Sequence, residues 1–361
     1  MIIKDRLVKR IRTDGPITFA QFTQECLYGE NGFFSTRRAG MDQTTSFLKS
    51  TTSPEKNPIF AQAITAIIRG SWEEMGKPDR FDIVEMGAGT GVFARDLIET
   101  TRRNYPDFYE HMFYNIVEIS PSLISLQRSN VDDEKVSWIY GSAVDVPLRN
   151  VEGVFLSNEL VDNFLFHRII SESGRLREIY VGEENGKLVE VRGKPSEDFR
   201  GHLRKIGTQP ENDVEIYICL DAVKWMKNVA KSLRRGYVIT IDYGARAEVL
   251  HSKKSVLHKL AVGTVNYSLP GRNEKHIFDW VGGIDITTPV DFTALLKTGE
   301  SYGLRGEMLT QKDFLVRAGV LDQVAARLLL NDRSTMNNID QIRALFTTHL
   351  VLLQAKGDVA K

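Results

Sequence analysis

Hydrophobic residues recur along the chain with two periods, and the change of period divides it into four stretches. In residues 1–75, Leu7, Val8 and Ile11, and later Ile64, Ile67 and Ile68, are spaced for one face of a helix, which predicts a mostly helical N-terminal region. Between them GENGFFSTRRAGMDQTTSFLKSTTSPE, rich in Gly, Ser and Thr, reads as a loop. From 76 to 165 the short apolar runs FDIVEMG, FYNIVEIS, KVSWIYG and VEGVFLSNE alternate with helical spacing. That alternation predicts a parallel sheet with helices on both faces. Residues 166–215 turn polar and hairpin-like, with ENGK at 184–187 as the turn, and read as an insertion. From 216 to 361 the pattern resumes with a helix near 219–234 and the strand GYVITIDYG, then a mixed part ending in THLVLLQA. The expected class is α/β: a Rossmann-like sheet with a helical N-terminal part and an inserted and C-terminal α+β region.

Composition changes this picture mainly by exclusion. At 361 residues the chain is too long for one small core, so a main domain with appended pieces is expected. Lys and Arg total 47, as do Asp and Glu, so there is no overall field to draw in nucleic acid or an anionic membrane. The two cysteines, Cys26 and Cys219, have no CxxC or CxxH neighbour, and the histidines show no metal-ligand spacing, so no metal is expected. No apolar run approaches the roughly 18 to 20 residues of a membrane span, and MIIKDRLVKR interrupts its hydrophobic start with charge, unlike a signal peptide. The expectation is a soluble, cytoplasmic protein.

IVEMGAGTGVFARDLIE, residues 83–99, carries the chemistry. A helix N-terminus after a parallel strand presents unsatisfied N–H groups, and glycines let a ligand approach the backbone. Gly87, Gly89 and Gly91 give GxGxG, with Val92 where a dinucleotide fingerprint needs its third glycine, and no GKS or GKT follows to hold a triphosphate. Glu85, two residues upstream, repels phosphate and suits the ammonium of an amino-acid moiety. Glu118, roughly thirty residues on, ends FYNIVEIS where a carboxylate can accept from both hydroxyls of an unphosphorylated ribose. Ribose at one end and an amino-acid cation at the other describe S-adenosyl-L-methionine. The plainer alternative is a tight strand–helix turn beside a surface acid.

With these residues in view, VEMGAGTG followed by VEIS resembles the core of class I methyltransferases that use S-adenosyl-L-methionine. More specifically, the chain is similar to the MidA family, which includes mitochondrial complex I assembly methyltransferases acting on a protein arginine. IRTDGPITFAQFTQECLYGENGFFS, TTSPE at 51–55, VEISPSLISLQ, SNELVDNF, IDYG and DITTPVDFTAL resemble the family's blocks in order, over almost the whole chain. The resemblance implies that Gly87, Ala88, Gly89 and Gly91 face the cofactor's methionine end, that Glu118 holds its ribose, and that Glu85 lies on the ammonium side. It also makes Asp145, in GSAVDVP, a partner for the adenine amino group, although Asp equally favours a loop cap.

SNELVDNF, 157–164, leaves a strand at the end where open α/β sheets bind ligands. Asn158 can donate or accept a hydrogen bond, and Glu159 can orient a cationic acceptor or remove its proton. Asp162 joins them as a catalytic candidate, with a helix-start role as its structural alternative. Asp242 and Tyr243 of IDYG are further pocket candidates, and His167 reads as a buried, hydrogen-bonded histidine. Three positions depart from the family. Lys49 and Ser50 stand where an acid and an aromatic precede the TSPE stretch, and Pro289 stands where a histidine precedes VDF. The expected function is methyl transfer to a protein arginine; the alternatives are methylation of O, N or C on a small molecule, and a cofactor-binding assembly factor without turnover. The partners are thus an acceptor protein or small molecule, with a homodimer compatible and neither nucleic acid nor membrane expected.

Overall fold

The computed structural model describes residues 3–35, 58–253, 277–319 and 349–358. In chain order the first elements are α1 (Ile3–Asp14), β1 (Ile17–Thr18), α2 (Phe19–Leu27), α3 (Pro58–Glu74), β2 (Phe81–Met86) and α4 (Val92–Asn104). Next come α5 (Pro106–His111), β3 (Met112–Glu118), α6 (Pro121–Asn130), β4 (Val136–Tyr140), β5 (Val151–Asn158), β6 (His167–Glu172) and β7 (Arg175–Glu184). They are followed by β8 (Lys187–Gly193), α7 (Phe199–Ile206), β9 (Glu215–Ile218), α8 (Leu220–Ser232), β10 (Leu233–Ala245) and α9 (Ala247–Leu250). The last are β11 (Val290–Asp291), α10 (Phe292–Ser301), β12 (Arg305–Thr310), α11 (Gln311–Arg317) and β13 (His349–Lys356).

The chain forms two compact units, one from Met1–Ser46, Val161–Lys224 and Gly244–Lys297, the other from Phe47–Leu160, Trp225–Tyr243 and Thr298–Lys361. This grouping differs from the four stretches read in the sequence. The N-terminal helical region divides: Leu7 and Ile11 enter the core of the first unit, whereas Ile64 and Ile68 enter that of the second. Amphipathic spacing says that a helix buries a face, not which core receives it.

The first unit carries an antiparallel sheet in the order β1-β7-β6-β9, with β8 on β7. The ENGK turn closes the β7–β8 hairpin, with Asn185 and Gly186 both at positive φ, as a two-residue hairpin turn requires. Helix α2 begins with a capping box, in which Thr18 Oγ1 accepts from Gln21 N–H at 3.1 Å and Gln21 Oε1 accepts from Thr18 N–H at 3.0 Å.

The second unit is built on the sheet order β12-β13-β10-β5-β2-β3-β4. Strands β4, β3, β2, β5 and β10 are mutually parallel, as expected, and β13 inserts antiparallel between β10 and β12. One face packs on Phe60, Ile64 and Trp72 of α3 and Phe93 and Leu97 of α4, against Ile83, Tyr114, Ile116, Val154 and Ile239 of the strands. On β2, Met86 accepts a hydrogen bond at its Sδ from the Trp225 indole N–H, at 3.1 Å. The chain runs outward from β2 to β3 and β4, then returns to β5 on the other side of β2. That reversal makes a topological switch point at the carboxyl ends of β2 and β5, the place where such sheets bind ligands.

Candidate active site

The glycine turn, Glu85, Glu118, Asp145, Asn158 and Glu159 lie in the second unit. After β2 the chain turns through Gly87, Gly89 and Gly91, at φ of 72°, 54° and 85°, a region that side chains other than glycine rarely adopt. A Cβ on Gly91 would lie 3.0 Å from the Gln127 Cα, and one on Gly87 would lie 2.8 Å from Leu160 Cδ1. No side chain caps α4 at Gly91, so the turn keeps a bare helix N-terminus.

Two carboxylates flank this turn, both buried. Glu85 is 4% exposed and accepts a hydrogen bond from the Tyr114 hydroxyl at 2.8 Å. Burial pushes its pKa up to about 7; the Tyr114 bond opposes that rise and the charge of Glu118 adds to it. Glu118 is 6% exposed, and its Oε1 accepts from Ser120 N–H at 2.8 Å while its Oε2 accepts from Gln127 Nε2 at 3.2 Å. Burial raises its pKa too, against the hydrogen bonds of Ser120 and Gln127, which favour the charged form.

Beside Glu118, Ile119 is 43% exposed, an uncovered apolar side chain at the carboxyl edge of β3. The end of β4 is tied to the same edge by Gly141 N–H, which donates to the Glu118 carbonyl at 3.0 Å. Asp145 lies exposed in the short turn Ala143–Asp145 that follows, and the cap there is supplied by Ser142 Oγ, accepting from Val144 N–H at 3.2 Å.

On the other side of β2, Asn158 ends β5 opposite Ile241 of β10, and Glu159 N–H donates to the Ile241 carbonyl at 2.9 Å. Glu159 takes a left-handed backbone, φ 48°, a conformation that non-glycine residues adopt mostly in turns and at functional sites. Its Oε1 lies 3.3 Å from His349 Nε2. His349 is opposite Tyr243 in the β10–β13 ladder, with the two rings edge to face at 6.4 Å. Asp242 is fully buried, and its Oδ1 accepts from Tyr243 N–H at 2.9 Å.

The sequence-derived set is therefore gathered in part. Glu85, Gly87, Ala88, Gly89, Gly91, Glu118, Asn158 and Glu159 sit at the carboxyl ends of neighbouring strands β2, β3 and β5, with Asp145 in the turn after β4. Asp162 belongs to the first unit, where it is buried in the turn Val161–Asn163 and its carbonyl accepts from Thr288 N–H at 3.0 Å. His167, also there, is partly rather than fully buried, and it has the hydrogen-bonded partner expected, Glu178 at 2.8 Å. Pro289 is buried just before β11, where Asp291 Oδ1 accepts from Ala294 N–H at 3.0 Å to cap α10. Lys49 and Ser50 lie outside the described residues. Tyr114, Gln127 and His349 are additions; each meets its partner across 9 to 190 positions of chain, a pairing no local spacing reveals.

The donor set fits S-adenosyl-L-methionine. The turn has no Cβ at Gly87, Gly89 and Gly91, Glu118 offers a carboxylate to hydroxyls, and Glu85 beside the turn disfavours a phosphate there. Comparison with known proteins agrees. The model of the family described as "Putative S-adenosyl-L-methionine-dependent methyltransferase" matches residues 63–310. Protein arginine methyltransferase NDUFAF7, mitochondrial, of Homo sapiens is 23% identical over 366 residues, covering 93% of this chain and 76% of that protein. Its Xenopus tropicalis counterpart is 23% identical over 396 residues, covering 98% and 86%. Among solved structures, a Burkholderia thailandensis protein bound to S-adenosyl-homocysteine superposes with a TM-score of 0.79 at 22% identity, covering 99% of this chain and 92% of that one.

Proposed function

The chain belongs to the S-adenosyl-L-methionine-dependent methyltransferase family whose model it matches over residues 63–310, and from that premise we propose that its acceptor is the guanidinium of a protein arginine. The observation that carries this reading is Glu159, a carboxylate held in a strained backbone at the carboxyl end of β5. A cationic acceptor needs such a group. The relatives named as protein arginine methyltransferases, aligned over more than nine-tenths of the chain, support it.

When bound, S-adenosyl-L-methionine supplies an electrophilic methyl on a sulfonium. The residues of this chain do the rest. The glycine turn and Glu118 hold the two ends of the cofactor, with Glu85 on the ammonium side. Asp145 is assigned to the adenine amino group and the exposed Ile119 to the face of the base. Asn158 would orient the acceptor nitrogen toward the methyl group that the cofactor would supply. Glu159 takes the proton that the acceptor nitrogen loses, and His349, 3.3 Å away, extends the path for that proton. In contrast to the relatives above, which carry "mitochondrial" in their names, we also propose a cytoplasmic location, which fractionation of tagged protein would test.

A second reading, a neutral or anionic small-molecule acceptor, is favoured by Lys49 and Pro289, which replace the acid and the imidazole of the family pattern. Incubation with methyl-labelled cofactor, separately with cell protein and with small-molecule extract, distinguishes the two. Labelled methylarginine in the protein fraction is expected, and label confined to the small-molecule fraction would sink the arginine proposal. Binding without label in either fraction would point to an assembly factor without turnover. Lys49→Asp is expected to improve arginine methylation if the lysine faces the acceptor.

A further inference from the structure

Helix α6 touches the cofactor site at three points. Its N-cap residue Ser120 accepts from Leu123 N–H and donates its own N–H to Glu118. Near its C-terminal end, Gln127 Nε2 donates both to the Gly89 carbonyl at 3.0 Å and to Glu118 Oε2 at 3.2 Å. Asn130, three residues on and so on the same helix face, donates from Nδ2 to the Thr90 carbonyl at 2.9 Å. Two consecutive carbonyls of the glycine turn are thus held by amides from one helix. A peptide group whose carbonyl is fixed in this way also fixes the direction of the next N–H, because the peptide is planar.

Gln127 differs from Asn130 because it also reaches the acid. It is fully buried, and its Oε1 has no hydrogen-bond partner among the described residues. An apolar side chain of similar size would fill the space without an unsatisfied acceptor of its own such as Oε1, so packing alone does not account for an amide there. The amide does what an apolar group cannot: with Ser120 N–H on Oε1 and Gln127 Nε2 on Oε2, both carboxylate oxygens of Glu118 are held by fixed donors. The carboxylate is then set in rotation, with lone pairs left over for other donors. Gly91 fits the same arrangement, since a Cβ there would press on the Gln127 Cα at 3.0 Å.

We propose that Gln127 is a positioning residue of the cofactor site, one side chain that aligns Glu118 for the ribose hydroxyls and locks the glycine turn in the same register. The inference rests on the cofactor reading above. It differs from a packing role in being specific to the hydroxyls.

The test is calorimetric, with S-adenosylhomocysteine and with an analogue lacking both ribose hydroxyls, on wild type, Gln127→Leu and Asn130→Ala. Asn130→Ala, which loosens only the turn, is expected to weaken both ligands by the same factor, about threefold. Gln127→Leu should weaken S-adenosylhomocysteine roughly tenfold more than it weakens the analogue, because the hydroxyl contacts that depend on Glu118 are already absent from the analogue. Gln127→Asn, shorter by one methylene and still an amide, is expected to show the same selective loss, and it serves if the leucine variant does not fold. Equal losses for the two ligands, with wild-type binding intact, would overturn the positioning role and leave the cofactor reading standing. Failure of wild type to bind S-adenosylhomocysteine would overturn both.

Discussion

Glu159 Oε1 and His349 Nε2 stand 3.3 Å apart, although more than half the length of the chain separates the two residues. The antiparallel insertion of β13 beside β10 brings them together, since His349 begins that strand opposite Tyr243. If Glu159 receives the acceptor's proton, Glu159→Gln keeps its shape and loses that capacity. Single-turnover kinetics are expected to slow by about 10² to 10⁴, with affinity for S-adenosylhomocysteine nearly unchanged. His349→Gln should give a smaller loss of the same kind. A parallel fall in affinity would instead make Glu159 part of the cofactor site.

Glu118 is expected to behave in the opposite way. Its carboxylate is fixed by Ser120 and Gln127 and buried beside the glycine turn. Glu118→Ala should weaken S-adenosylhomocysteine by about 1 to 3 kcal/mol, the loss of charge-assisted hydrogen bonds, as titration calorimetry would read it. NAD should not bind wild type, because Val92 stands where the third dinucleotide glycine is needed. Affinity unchanged in the alanine variant would remove the ribose assignment.

Gly91 tests the turn itself. An alanine there meets both a φ of 85° and the Gln127 Cα at 3.0 Å, whereas alanine at Gly76 meets a φ of 81° with open space around it. Both variants should lose about 1 to 3 kcal/mol of stability in urea unfolding from backbone strain. Only Gly91→Ala should also lose cofactor affinity. If the two variants bind equally well, close packing of α6 on the turn is unimportant for the site.

How much of this was readable in advance depended on the reach of each interaction along the chain. The parallel strands, the glycine turn and Glu118 are written locally, in apolar runs ended by Gly or Glu. Helix α3 was readable as a helix, but its membership of the second core was not, because Ile64 and Ile68 look like any buried face. Strand β13 has an apolar sequence without a decisive period, so its antiparallel place between β10 and β12 is set by neighbours far away in sequence. His349 has no companion at metal-ligand or helical spacing, and it gains meaning only from that placement. Gln127 closes the quoted VEISPSLISLQ, yet its contact with Gly89 requires knowing how α6 crosses the turn. Asp162, close to Glu159 in sequence, shows the converse: adjacency in sequence did not place it in the same unit.

Glu85 accepts a hydrogen bond from the Tyr114 hydroxyl inside the second core. Burial is the largest influence on it and lifts its pKa from the ordinary value of 4.5 to about 7, with the nearby charge of Glu118 adding to the rise. Below the ordinary value the carboxyl is protonated in folded and unfolded chains alike, and no stability difference arises. As pH climbs toward 7 the unfolded chain releases this proton while the folded protein retains it, so folding stability falls through that interval. Above the folded pKa the loss is complete, on the order of 3 kcal/mol. Glu85→Gln abolishes the titration, so the variant should gain on wild type between pH 5 and pH 8 in urea unfolding without ligand. A ligand ammonium reverses the preference, because it favours the ionised carboxylate. Wild-type affinity for S-adenosylhomocysteine should therefore strengthen as pH rises through 7, and that of Glu85→Gln should stay nearly flat over the same range. Wild-type stability that instead stayed level relative to the variant between pH 5 and pH 8 would mean that the folded carboxyl is ionised across that range, and the buried, protonated Glu85 would be ruled out.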